Sequence, residues 1–123
     1  MDQLAVISVP GFSATATFAG DELLVRMRGN ADLEVQPELA SFLPEVHAAA
    51  LKRAASEVTV DLREVEFMNS SCIKELVSWL QRVLDLAPDR RYRMRLQQGT
   101  QHWQTRSLLV LKAFAGDLVD IER

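Results

Sequence analysis

The sequence has only one cysteine, Cys72, so no internal disulfide can form, and a reducing setting, the cytoplasm, is expected. It also lacks a basic surplus. Fourteen Lys and Arg against 17 Asp and Glu leave a net charge of -3, which offers no polybasic anchor for an anionic membrane and no match for a nucleic-acid backbone. Neither partner is expected. No window approaches the roughly 18 apolar residues a membrane span requires, and the opening MDQLAVISVPGF lacks the charged lead and apolar run of a signal peptide. Internal repeats, low-complexity tracts and Gly/Ser linkers are missing as well. With 48% apolar residues in a chain of 123, the expectation is one domain, residues 1–123, with a substantial core.

What is present is clear punctuation and clear periodicity. LAVISV (4–9) and ATATFAG (14–20) are rich in β-branched or aromatic residues and flank Pro10 and Gly11, which predicts a hairpin. After a second turn at Gly20 and Asp21, Leu23, Leu24, Val25 and Met27 predict a third strand ending near Gly29 and Asn30. Residues 37–55 read as a helix carrying Leu39, Phe42, Leu43, Val46 and Ala50 at helical spacing. Pro44 leaves two versions open: a start near Pro44, or a start at Pro37 with Pro44 inside.

Val58, Val60 and Leu62 alternate in a strand, followed by a short loop with Val65, Phe67 and Met68 as apolar anchors up to Asn69. The next helix places Ile73, Leu76, Val77, Leu80 and Leu84 on one stripe and turns Lys74, Ser78, Gln81 and Arg82 away. Pro88 ends it. Tyr92, Met94 and Leu96 alternate in a strand, Trp103 to Phe114 form a last helix, and Leu118, Val119 and Ile121 a closing strand. The order βββαβαβαβ implies an α/β fold: antiparallel N-terminal strands, then parallel βαβ units with right-handed crossovers, in a mixed sheet with about three helices on one face or both.

The chemically loaded segment is VTVDLREVEFMNSSCIKELVSWL, residues 58–80. Ser70 and Ser71 open a helix, where unpaired N–H groups and the positive dipole end favour a negative charge. Read from residues alone, serines there are usually caps. Cys72 follows them on the shoulder of the apolar stripe, where a free cysteine acts more often as a small hydrophobe than as a nucleophile. His47 and His102 are too widely spaced from it to suggest a base or a metal set, so neither metal nor cofactor is expected. Asp21, Glu22, Asp32 and Glu34 are explained by turns. Arg91, Arg93 and Arg95 share the strand face opposite Tyr92, Met94 and Leu96, a solvated face or one meeting an acidic partner. Trp79 is open between core edge and partner anchor, and Trp103 between packing and a second contact.

The order of elements and the run DLREVEFMNSSCIKEL resemble the STAS domain of bacterial anti-sigma factor antagonists, whose helix opens on D-S-[ST]-G. Asn69 replaces the Asp of that motif and Cys72 its Gly. N-S-S-C-I-K is also similar to the N-[ST]-S-x-I-K motif of STAS-like biofilm regulatory phosphoproteins, which act on a diguanylate cyclase. HWQTRSL, residues 102–108, resembles a further branch of STAS-like regulators. The resemblance implies a STAS-like mixed sheet and a non-enzymatic switch. Ser70 would be the phosphoacceptor, with Ser71 as the alternative. Its partner face would comprise Asn69, Ser70, Ser71, Cys72, Lys74, Glu75, Ser78 and Trp79. The implied partners are a serine kinase of the anti-sigma factor type with its phosphatase, or a diguanylate cyclase. The alternative is a STAS-like scaffold or small-ligand sensor without phosphorylation, and the chain could be monomer or homodimer.

Overall fold

Residues 3–123 are described by a computed structural model. Three antiparallel strands open it: β1 (Gln3–Val9), β2 (Phe12–Ala19) and β3 (Glu22–Ala31). Gly29 sits where β3 passes the first turn. A Cβ there would lie 2.1 Å from the Gly11 carbonyl oxygen, so only glycine allows the approach. A 3-10 turn, Leu33–Val35, leads into α1 (Gln36–Lys52). Of the two versions left open, the helix takes the one that starts at Pro37. Pro37 occupies the first turn, where its missing N–H costs nothing, and Pro44 lies inside.

Then come β4 (Glu57–Met68), α2 (Ser70–Leu84), β5 (Arg93–Gln97), α3 (His102–Ala115) and β6 (Val119–Glu122). The six strands form one sheet in sequential order, with β3 to β6 parallel. The expected element order and mixed sheet are therefore observed. Strand order never reverses, so successive right-handed crossovers put all three helices on the same face. The inward-facing strand residues and the helices share one apolar core, including Leu23, Val25, Val58, Val60, Leu39, Leu76 and Leu111.

The other face is open and polar. Arg28 pairs with Glu64 at 2.6 Å, Arg93 with Asp120 at 2.6 Å, and Arg95 with both Glu57 and Glu122. Arg91 instead donates to the Leu84 and Leu86 carbonyls, at 2.7 and 3.2 Å, and so closes the end of α2. Neighbours within the fold occupy the arginine run.

Two expectations need correction. The loop expected between Leu62 and Asn69 is strand. β4 continues to Met68, but its pairing with β3 slips between Arg26 and Arg28 and again between Gly29 and Asn30. Each slip gives β4 an extra residue, so inward positions become Leu62, Val65 and Met68 and the two-residue alternation disappears. Phe67, expected as an anchor, is 47% exposed. The stripe of α2 is also rotated: Cys72, Leu76, Trp79, Leu80 and Val83 are buried, while Ile73, Val77 and Leu84 are half-buried on its flank.

The start of α3 clamps the irregular part of β4. Gln104, fully buried, donates through Nε2 to the Leu62 and Val65 carbonyls at 2.7 and 3.2 Å, and its Oε1 accepts from the Gly99 N–H at 2.8 Å. Gln101 donates to the Arg63 carbonyl and Trp103 Nε1 to the Val65 carbonyl, at 3.1 and 2.9 Å. Carbonyls that a bulge leaves unpaired thereby find donors. Trp103 is thus a half-buried packing residue with a fixed hydrogen bond.

Candidate functional site

β4 delivers the chain to α2 through a single residue, Asn69. Its backbone N–H donates to the Ala31 carbonyl at the end of β3, at 2.7 Å. Its extended backbone (φ -65°, ψ 150°) is that of an N-cap. The side-chain Oδ1 accepts from the Ser71 N–H at 2.8 Å and from the Ser71 hydroxyl at 2.7 Å. Ser71, half-buried, is therefore committed to the cap. Ser70, one residue earlier, is exposed, and its hydroxyl has no hydrogen-bond partner among the described residues.

The segment after β3 packs beside this helix start. The Cys72 thiol donates to the Asp32 carbonyl at 3.3 Å, and Gln36 Nε2 donates to Glu75 at 2.6 Å. Asp32 also caps the 3-10 turn by accepting from the Glu34 N–H at 3.2 Å, and Asp21 accepts from the Ser56 hydroxyl at 3.3 Å. These acids serve turns, as expected from the sequence. Cys72 is buried, and burial is the first cause holding its thiol above the ordinary range, with the Asp32 and Glu75 carboxylates adding to it against a hydrogen bond from Ser71. That is the reverse of an activated thiolate.

The expected partner face divides. Ser70, Lys74 and Ser78 are exposed at four-residue intervals along α2, while Asn69, Ser71 and Glu75 are half-buried and held by neighbours. Cys72 and Trp79 leave the face: both are buried, and Trp79 is 2% exposed. Trp79 Nε1 donates to the Tyr92 hydroxyl at 2.7 Å, because an indole N–H taken from water needs an acceptor. The Tyr92 oxygen lies 2.7 Å from His47 Nδ1, so one chain of contacts, buried at Trp79 and Tyr92 and half-buried at His47, joins α2, the approach to β5, and α1. His102, at the start of α3, is exposed. The structure does not bring the two histidines together with Cys72.

Leu33 was missed by sequence reasoning. It is 67% exposed, and its neighbour Asp32 touches Cys72, which places it beside the start of α2. Phe67, two residues before Asn69 in the chain, is exposed next to the inward-facing Met68. A leucine between two acids in a turn was the available signal. Between α1 and α2 the crevice lined by Leu43, Pro44, Glu75 and Ser78 measures only about 10 Å³, room for no more than one water. The larger open hollows lie on the bare sheet face and along the first turns of α3. Ser70 lines none of these hollows.

No family model matches the chain, and none of the curated proteins is significantly similar. Solved structures do match. An anti-sigma factor antagonist from Mycobacterium paratuberculosis superposes with a TM-score of 0.64 at 17% identity, covering 94% of this chain and 90% of its own. The anti-sigma factor antagonist SpoIIAA in its unphosphorylated form matches with a TM-score of 0.52 at 13% identity, over 76% of this chain and 79% of its own. At these identities the likeness shows the fold: this chain has the mixed sheet and helix arrangement of the STAS fold found in anti-sigma factor antagonists.

Proposed function

We propose, from a fold shared with anti-sigma factor antagonists, that this chain is a non-enzymatic signalling switch whose partner binding is controlled by phosphorylation of Ser70. One observation carries the assignment. Of the two adjacent hydroxyls, Ser70 presents an exposed and unengaged one, whereas that of Ser71 is consumed by the Asn69 cap. The bare start of α2 at Ser70, with the exposed Lys74 and Ser78 along the helix and Leu33 on the adjoining turn, is the face offered to the partner.

A phosphate on Ser70 would add about 1.5 to 2 negative charges at the first turn of α2. The helix terminus favours it by roughly 0.3–1 kcal/mol. No acid occupies that turn, but Asp32 and Glu75 lie close enough to act on Cys72, so the added charge would repel both these carboxylates and an acidic partner. The switch is electrostatic and steric, and no refolding is required. The partners proposed are a serine kinase of the anti-sigma factor type and its phosphatase, in the cytoplasm.

The test is phosphorylation by the serine kinase encoded nearest this chain, read by intact mass and site mapping. One phosphate on Ser70 is expected, lost in Ser70→Ala and retained in Ser71→Ala. Ser70→Asp should lose the partner that Ser70→Ala keeps. Phosphate on Ser71 instead, or equal partner binding by both Ser70 variants, would defeat the assignment.

A further inference from the structure

A phosphate on Ser70 needs hydrogen-bond donors, and the backbone at the start of α2 has few left to give. Asn69 takes them. Its Oδ1 accepts from the Ser71 N–H at 2.8 Å, and its carbonyl accepts from the Cys72 and Ile73 N–H groups, both at 3.0 Å. The N–H groups that turn other helix starts into anion cradles are therefore occupied before a phosphate arrives. The dipole still favours the charge, but a side chain must supply the contact.

Lys74 is placed to supply it. It follows Ser70 by four residues in α2, and both are exposed. Helical side chains lean toward the N-terminus, so a residue at i+4 reaches back over residue i, and an anion four residues before a cation is the favoured order of such a pair. The Lys74 ammonium belongs to no ion pair among the described residues, while Arg26, Arg28, Arg63, Arg93 and Arg95 all do. Its charged neighbour Glu75 is held by Gln36 at 2.6 Å.

We propose, resting on the assignment of Ser70 as phosphoacceptor, that Lys74 receives the phosphate: its ammonium pairs with the phosphate in the modified chain and is free in the bare one. Such a charge-assisted contact is the means by which a phosphate orders its surroundings. Phosphorylation then changes the face twice, adding negative charge at Ser70 and withdrawing a free cation one turn along α2. Asp32 and Glu75, the acids beside this helix start, oppose the added charge, and Lys74 offsets them.

Phosphoserine installed at position 70 during synthesis of the full chain tests this without any kinase. Phosphorus NMR against pH, in about 0.1 M salt, follows the second ionisation of the phosphate. A paired ammonium favours the dianion, so the pKa should lie about 0.3 unit below that of the same chain carrying Lys74→Met. Lys74→Arg, which keeps the charge, should hold the lower value. Arg82→Met removes an exposed cation about three turns further along α2 and should leave the value unshifted. Equal pKa values in the parent and Lys74→Met, a raised value in Lys74→Arg, or a shift from Arg82→Met as large as that from Lys74→Met overturns the proposal. Because the phosphate is put in place chemically, none of these outcomes bears on whether a kinase selects Ser70, and a kinase that ignores Ser70 leaves the ion pair measurable.

Discussion

Asn69→Ala removes one oxygen that accepts two hydrogen bonds, at 2.8 Å from the Ser71 N–H and 2.7 Å from the Ser71 hydroxyl. Loss of an N-cap of this kind costs about 1 kcal/mol, within a range of roughly 0.5–2. Ser71 is half-buried, so its freed hydroxyl and N–H can reach water in part, and the middle of that range is expected. For a chain of this size the change corresponds to a fall of about 4 °C in Tm.

The control is Asn69→Asp, which keeps the acceptor and adds a charge at the positive end of α2. The dipole gain is roughly 0.3–1 kcal/mol, reduced by the nearby Asp32 and Glu75 carboxylates. Asn69→Asp should therefore match or slightly exceed the parent in urea unfolding at pH 7, and Asn69→Ala should have the lower midpoint at unchanged m-value. Ser71→Ala retains the backbone bond and should cost less than Asn69→Ala. The reasoning is refuted if Asn69→Ala unfolds at the parent's midpoint, or if Asn69→Asp is as unstable as Asn69→Ala.

Burial first, and the Arg82 charge second, hold the His47 pKa below its ordinary value. The Tyr92 hydroxyl accepts from Trp79 and lies 2.7 Å from His47 Nδ1, a contact in which it can donate to the neutral ring. The unfolded chain therefore takes up a proton before the folded one: His47 adds stability at neutral pH that is lost as pH falls below about 6.5. Thermal unfolding at pH 7.5 and 5.5 should show a smaller difference for His47→Gln, and an equal difference would rule this out. Gln104→Leu strips the Leu62 carbonyl and the Gly99 N–H of their partners, a loss of about 3 kcal/mol readable in urea unfolding; a loss below about 1 kcal/mol would mean that water replaces the amide. Gly99→Ala pushes a Cβ to 2.6 Å from the Arg63 carbonyl oxygen and should cost about 1–3 kcal/mol by the same measurement; a variant as stable as the parent would mean that the clamp on β4 gives way freely.

Local chemistry alone determined the element order, the hairpin at Pro10 and Gly11, and the helix opening at Ser70. Turn residues, caps and periodicity act within a few residues and leave their mark in the sequence. The preference for Ser70 came from the motif resemblance; the structure supplies a separate argument, the commitment of Ser71 to Asn69. Tertiary structure decided the rest. The apolar arc of α2 is wider than the face it buries, so periodicity could not choose between Ile73, Val77 and Leu84 and the side carrying Cys72 and Trp79. Tyr92, 13 residues away in sequence, accepts the Trp79 N–H, and that partner belongs to the buried side. In β4 the bulges erase the alternation, and their free carbonyls are met by Gln101, Trp103 and Gln104, some 40 residues later. Leu33 comes beside Ser70 only because β3 and β4 end together. Such contacts depend on which surfaces neighbours cover, and no short-range pattern records that.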